Sequence, residues 1–378
     1  MRPRNVATLL NDARLNFLIG SGASRPHFNT LGNIEKVLTA IDRAEASDET
    51  KRSLTTLCKK RYVDDVVAPE LNLAKLEKLT KGTTEHETIS AYTEFLKTIY
   101  QLISKRETPV TSKQVNVFTT NYDTCLEHSL ESIGIRYNDG FEGKLEPSFK
   151  LSNYGFISKR QSLLYEFVTD VPSFNLFKLH GSFSWKSDPA GIITLDQNRN
   201  VACKLVELSA NICCDTPIDA NDFEEINLKL QVDPPIEVSN DDKFLEIYKD
   251  LLIVNPTKNK FEETLLDRNY YEMLRMFSNE LEKENAVLYV IGFSFADEHI
   301  REIVARSLCQ NPTLTVIIFC HSVLDHENIL QYSEFSNLPF GNLVVVKPND
   351  LEVESLTISE ITRHYFSSTS EPHEGGIR

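Results

Sequence analysis

The 378-residue chain has no apolar run approaching the ~20 residues that a membrane-spanning helix requires, so no membrane association is expected. No signal-peptide core follows Met1-Arg2-Pro3-Arg4-Asn5, which argues against secretion. The seven cysteines (58, 125, 203, 213, 214, 309 and 320) form no C-x-x-C pair, so neither a zinc ribbon nor a disulfide framework is suggested. Adjacent thiols such as Cys213 and Cys214 rarely serve one tetrahedral site. A reducing cytoplasm is the simplest setting. Basic residues are in deficit, 40 against 55 acidic, for a net charge of −15. Such a surface repels nucleic acid at long range and counts against it as a partner of this chain alone, although not against a local basic groove. The P-loop signature is missing as well, which leaves ATP hydrolysis unsupported.

What remains is ordinary soluble composition, with 41% hydrophobic and 25% charged residues. The length suits one large α/β domain with an insertion, or two domains. Four β-like runs each end in small or polar residues. Leu15–Ile19 leads into Gly20-Ser21-Gly22-Ala23-Ser24, and Val115–Phe118 into Thr119-Thr120-Asn121-Tyr122-Asp123. Leu176–Lys178 leads into Leu179-His180-Gly181-Ser182, and Ala286–Ile291 into Gly292-Phe293-Ser294-Phe295-Ala296-Asp297. Two further runs, Leu314–Phe319 and Leu343–Val346, alternate with helical stretches. Short runs of this kind predict a doubly wound, mainly parallel α/β sheet buried on both faces. In such a sheet the C-terminal strand ends line the ligand crevice.

Between the first two strands, residues 33–105 lack strand signals and read as helical. Ile89, Tyr92, Phe95, Leu96, Ile99 and Leu102 recur at spacings of three and four, as one buried helix face requires. The reading divides the chain into a discontinuous core domain (1–32 and 109–366), a helical insertion (33–108) and a disordered tail (367–378). Residues 182–284 read as irregular, with an acidic run from Asp219 to Glu225 and a helix from about Phe261 to Lys283.

Each strand end has a chemical reading and a plain one. Gly20 and Gly22 match the first two glycines of a dinucleotide-binding turn, which lets backbone approach a diphosphate at a helix N-terminus. Arg25 stands where the third glycine would be, and a tight turn alone would use the same residues. Asn121 offers donor and acceptor together, enough to hold a ribose hydroxyl and a water. An Asx turn capping the next helix is the plain reading of both Asn121 and Asp123, and for Asp123 it stands level with a ribose contact. His180 carries an imidazole able to take a proton at cellular pH, and a lone strand-end histidine also reads as structural. Ser294 reads as a phosphate or ribose donor, or as a cap.

In that order along the chain, the Gly-x-Gly-x-Ser, Thr-x-Asn-x-Asp, His-Gly and Gly-x-Ser turns resemble the silent-information-regulator (sirtuin) family. The resemblance spans about residues 14–346 and implies a Rossmann-like fold binding NAD in an extended cleft. It would place Gly20, Ser21, Gly22, Ala23 and Ser24 at the diphosphate and neighbouring ribose. Asn121 and Asp123 would lie against the nicotinamide ribose, with His180 as the base and Gly292 and Ser294 on the adenosine side. The family's protein deacylases carry four zinc cysteines after the His-Gly pair. Here only Cys203, Cys213 and Cys214 fall in that region, so no zinc is expected. The deacylases' Gly-Ile-Pro-Asp-Phe-Arg stretch is replaced around Arg25-Pro26-His27-Phe28. Thr-Asn-Tyr-Asp, Gly-Phe-Ser-Phe-Ala-Asp-Glu-His-Ile and Pro256-Thr257-Lys258-Asn259-Lys260 resemble instead the bacterial sirtuin-like defence proteins. That branch implies an NAD glycohydrolase using Asn121 and His180, with NAD as substrate and no other cofactor. It also implies a homo-oligomer and, as a candidate partner, a HerA-type hexameric ATPase. The rival expectations are a non-catalytic NAD or ADP-ribose sensor and a nuclease subunit using acidic metal ligands.

Overall fold

The computed structural model describes residues 9–28, 34–75, 81–106, 112–214, 223–232, 238–239, 241–254, 268–336 and 338–367. Its centre is a sheet of seven strands, all parallel. In chain order they are β1 (Arg14–Ile19), β2 (Gln114–Thr119), β3 (Tyr137–Asn138), β4 (Ser173–Lys178), β5 (Ala286–Ile291), β6 (Thr315–Phe319) and β7 (Leu343–Val346). Across the sheet they run β7-β6-β5-β1-β2-β4-β3. The chain winds outward from β1 in one direction through β2 and β4, then returns to its other side for β5, β6 and β7. The order therefore reverses between β1 and β5, and a doubly wound sheet opens its ligand crevice beyond the strand ends at such a point.

Burial on both faces explains why these strands read as almost unbroken apolar runs. All six residues of β5 and all six of β4 are buried. Alternate side chains serve opposite layers. Phe17, Ile19, Val117, Tyr289 and Phe319 join one core, whereas Leu18, Phe118, Phe177, Leu288 and Ile318 join the other. The first core is covered by α1 (Ile34–Arg43), α2 (Asp48–Tyr62), α3 (Ala68–Lys75) and α4 (Thr84–Ser104). The periodicity read in the sequence falls on α4, which buries Ile89, Tyr92, Phe95, Leu96, Ile99 and Leu102. Thr83 caps it by accepting from His86 N, and Glu85 and Glu87 complement the dipole of its first turn. Phe95 meets Phe17 edge to face at 5.3 Å, so α4 packs directly on β1. After β2 comes α5 (Cys125–Ser132).

The interval 182–284 is richer than expected. It contains α6 (Asn200–Ser209), α7 (Phe223–Val232), α8 (Asp241–Tyr248) and α9 (Arg268–Glu282). The first three are short, and each buries only a few residues, such as Ala202 and Leu205 of α6, Ile226 of α7 and Phe244 of α8. Tertiary packing, more than local periodicity, stabilises helices of that length. Trp185–Ser187 and Ile193–Leu195 form a small antiparallel sheet with Phe141–Glu142 and Ser148–Phe149. The sheet's core side holds Trp185, Phe149 and Ile193. The tail from residue 368, Pro256–Lys260, Asp233–Pro235 and most of the acidic run 219–225 lie outside the described residues. After β5 come α10 (Glu298–Gln310), α11 (Val323–Leu330) and the short α12 (Ile358–Ile361). No helix is long and apolar enough to cross a membrane, among the described residues.

Candidate functional site

The four turns singled out in the sequence meet at the C-terminal edges of β1, β2, β4 and β5. Two of them touch across the switch point. Gly20 N donates to Ile291 O at 3.0 Å and Gly22 N to Gly292 O at 2.9 Å, which locks the β1 and β5 loops together. A Cβ on Gly20 would stand 2.5 Å from Gly292 O, and one on Gly292 would overlap Ala23 N. Gly292 also sits at φ +63°, a left-handed conformation that favours glycine. Close approach of two backbones thus explains these glycines. The turn itself, Ser21–Ser24, is a single 3-10 turn with Gly20 extended before it.

Asn121 lies behind that turn. Its Nδ2 donates to Gly20 O at 3.1 Å and Ser24 Oγ at 3.0 Å, and its own N–H is held by Thr119 Oγ1. The amide is therefore fixed in rotamer with Oδ1 directed away from both acceptors. That Oδ1 is buried and accepts no hydrogen bond from the described residues. Leaving a buried acceptor unmade costs about 1–3 kcal/mol, so a fixed orientation of this sort suits a donor brought by a ligand. Ser24 Oγ donates to Asp123 Oδ2 at 2.8 Å and lies 3.0 Å from Tyr92 OH on α4. Asp123 Oδ1 accepts from Cys125 N at 3.1 Å. Asp123 thus makes the Asx turn into α5, its plain reading, and Ser24 links it to Asn121. The helices between β1 and β2 contribute Tyr92 to this network.

A buried lysine supports the same loop. Lys178, at the end of β4, reaches the backbone carbonyls of Asn121 and Asp123 and pairs with Glu127 Oε1 at 3.2 Å. Burial pushes the Glu127 carboxyl above its ordinary range, an effect opposed by the Lys178 charge. Beyond it, Glu70 of α3 accepts from Thr124 Oγ1 at 2.5 Å and Thr124 N at 3.2 Å, with Arg199 Nε 3.2 Å away. Burial raises Glu70 to about 7, against the lowering effect of Arg199 and the Thr124 bonds.

His180 ends the neighbouring strand. Its Nε2 stands 3.3 Å from Asp297 Oδ2, with both side chains buried. Asp297 serves twice: Oδ1 accepts from His299 N and Ile300 N as the cap of α10, leaving Oδ2 toward the imidazole. The imidazole backbone is fixed by Val254 N, which donates to His180 O at 2.8 Å. Tyr122 OH donates to Val254 O at 2.6 Å, and its ring lies 6.4 Å from that of His180. Gly181 has φ +84°, and any Cβ there would overlap Leu252 O. The His-Gly pair is thus required for segment 251–254 to back the histidine. On the β5 side, Phe295 is buried at φ +58°, an uncommon conformation for a bulky residue. Arg301 holds it there, donating to Phe295 O at 2.7 Å while pairing with Glu334 at 2.8 Å. Ser294 is exposed at the rim, its Oγ accepting from Ala296 N at 3.4 Å.

Residues 115–204, about a quarter of the chain, match the SIR2-like domain family. The match covers the Asn121, Asp123 and His180 turns and supports a sirtuin-like domain protein. The SIR2-like match also points to NAD-related activity in general. The Gly20 and Gly292 turns lie outside the matched residues, and only the fold brings them to the SIR2-like segment. No curated protein matches the chain.

Asp297, Lys178, Glu70 and Arg199 carry no role in the sequence reading, and Tyr92 only a place on a buried helix face. An aspartate before a helix is a signal that could have found the cap, but nothing local signals its second contact with His180. Lys178 showed only as a cation at the end of an apolar strand.

Proposed function

We propose that this chain is an NAD glycohydrolase, cleaving NAD to nicotinamide and ADP-ribose. The observation that carries the reading is the buried, rigidly held Asn121 Oδ1, without a partner among the described residues. Asn121 follows β2, next to the strand that leads to the His180–Asp297 pair, and lies beside the switch point where the Gly20–Gly22 turn is bonded to Ile291 and Gly292. Gly20 to Ser24 would face the diphosphate, Gly292 and Ser294 the adenosine side, and Asn121 the nicotinamide ribose or its attacking water.

The C1′–nitrogen bond breaks with its electron pair leaving on nicotinamide, through an oxocarbenium-like state that nearby polar groups stabilise. A water held by Asn121 then bonds C1′ and passes its proton, directly or through a ribose hydroxyl, to His180. The Asp297 carboxylate at 3.3 Å favours the imidazolium so formed. Resemblance to the bacterial defence branch supports a cytoplasmic setting in antiphage defence by NAD depletion, with activity gated by oligomer contacts or by a HerA-type ATPase.

Nicotinamide release by purified wild type, Asn121→Ala and His180→Ala, with and without candidate partner or infected-cell extract, tests the reading. Turnover by wild type that both folded variants lose by at least about 100-fold is expected, the scale of a general base. NAD binding without turnover under every condition would overturn hydrolysis in favour of sensing.

A further inference from the structure

Residues 159–170 leave the body of the protein: every one is exposed, whereas Tyr154 before them and Ser173 after them are buried. Lys159–Gln161 and Val168–Asp170 pair antiparallel, closed by Ser162 N donating to Phe167 O at 2.9 Å. This ribbon joins no other strand among the described residues. A two-stranded ribbon is marginal in water by itself, and further strands or an apolar face against a partner are what stabilise one.

The tip of the ribbon is apolar. Leu163 is 102% exposed, Leu164 84% and Phe167 77%, with Tyr165, Val168 and, at the root, Phe156 and Ile157 each more than half exposed. At roughly 150 Å² apiece, seven such side chains offer on the order of 1,000 Å². Monomers rarely expose contiguous apolar patches beyond a few hundred Å². A stable complex takes about 800 Å² from each partner, so this surface alone is large enough.

Charge selects the occupant. The chain carries −15, yet within 159–170 Lys159 and Arg160 balance Glu166 and Asp170, and Lys159 pairs with Asp170 at 3.7 Å. Two copies of so acidic a molecule repel over most of their surface and least at a locally neutral one. We propose that this hairpin, with Phe156 and Ile157 at its root, is the surface on which a second copy of the chain docks, hairpin against hairpin. A twofold arrangement lets one patch be its own partner and closes the assembly. It also buries both tips and lets the open ribbon edges pair. The proposal stands independently of any activity toward NAD.

Sedimentation velocity of the full chain, wild type against Leu164→Asp/Phe167→Asp, tests it. Both side chains are exposed in a single copy, so circular dichroism and the melting profile of the variant in its monomeric range match wild type. Wild type sediments as a concentration-dependent dimer or a multiple of one, and the variant weakens that association at least tenfold. A wild type monomeric throughout, or an oligomer that the double substitution leaves intact, overturns the proposal. Capture of monomeric wild type, but not the variant, by phosphatidylcholine vesicles would assign the tip to lipid and overturn it as well.

Discussion

In the proposed reaction Asn121 and His180 owe their chemistry to what surrounds them. An asparagine with both amide hydrogens committed to Gly20 O and Ser24 Oγ has one direction left for its carbonyl oxygen. A histidine whose ring nitrogen faces a carboxylate 3.3 Å away has its ring orientation set by that carboxylate. Asp297→Asn isolates that second effect, because asparagine caps a helix about as well as aspartate. The expected result is a melting temperature within about 2 °C of wild type, since the cap survives, and nicotinamide release reduced by on the order of 100-fold, since an orienting charge is lost. Paired thermal denaturation and turnover assays check it. An equal loss of both would make Asp297 a structural cap only.

Elements meet at this site through backbone as much as through side chains. Gly292→Ala combines a positive φ with overlap onto Ala23 N, whereas Gly191, also at positive φ (+77°), has open space around it. Gly191→Ala should cost about 1–2 kcal/mol of strain, and Gly292→Ala clearly more, in chemical denaturation. Turnover should fall only in the second, because only there do the β1 and β5 loops part. The contact of α3 with the Asn121 turn carries its own pH signature. Glu70 is raised from 4.5 to about 7, chiefly by burial, so the folded state holds its proton more tightly than the unfolded chain. Its contribution to stability is fully present below about 4.5 and is lost as pH rises to about 7, then stays level. Glu70→Gln removes that titration. The difference in unfolding free energy between variant and wild type should therefore shift in the variant's favour between pH 5 and pH 7 and flatten above, by a few kcal/mol at most. A constant difference across that range would refute the assignment.

At the scale of the molecule, the two ends of the described chain close one core. Phe366 lies 6.0 Å from Phe17, 5.9 Å from Phe95 and 5.3 Å from Tyr289. Arg106 ties the residues before β1 to the end of α4, donating to Leu10 O and Ala13 O. Phe366→Ala should cost about 3–5 kcal/mol, as for a buried aromatic in a continuous core, with a single unfolding transition retained. Two separate transitions in urea would show instead that the helices between β1 and β2 unfold apart from the sheet. The same continuity separates body from arm: substitutions at Leu164 or Phe167 should leave that transition untouched while altering self-association.

By itself the sequence determined six of the seven strands of the parallel sheet and the four turns that meet at their ends. A strand buried on both faces must be apolar along its length, and a turn at a crevice must be small or polar; both are local requirements written into consecutive residues. Also legible was α4, long enough for its spacing to declare itself. Only the tertiary structure decided what those turns do for one another. Asp297 reaches His180, Lys178 braces the Asn121 loop and Ser24 joins Asp123 to Tyr92, and each partner lies on a different element. The short helices between residues 200 and 248 form because the core receives them, not because their own periodicity insists. The hairpin at 159–170 was equally hidden, since apolar residues in a sequence promise burial, and only the fold shows that these have been left outside.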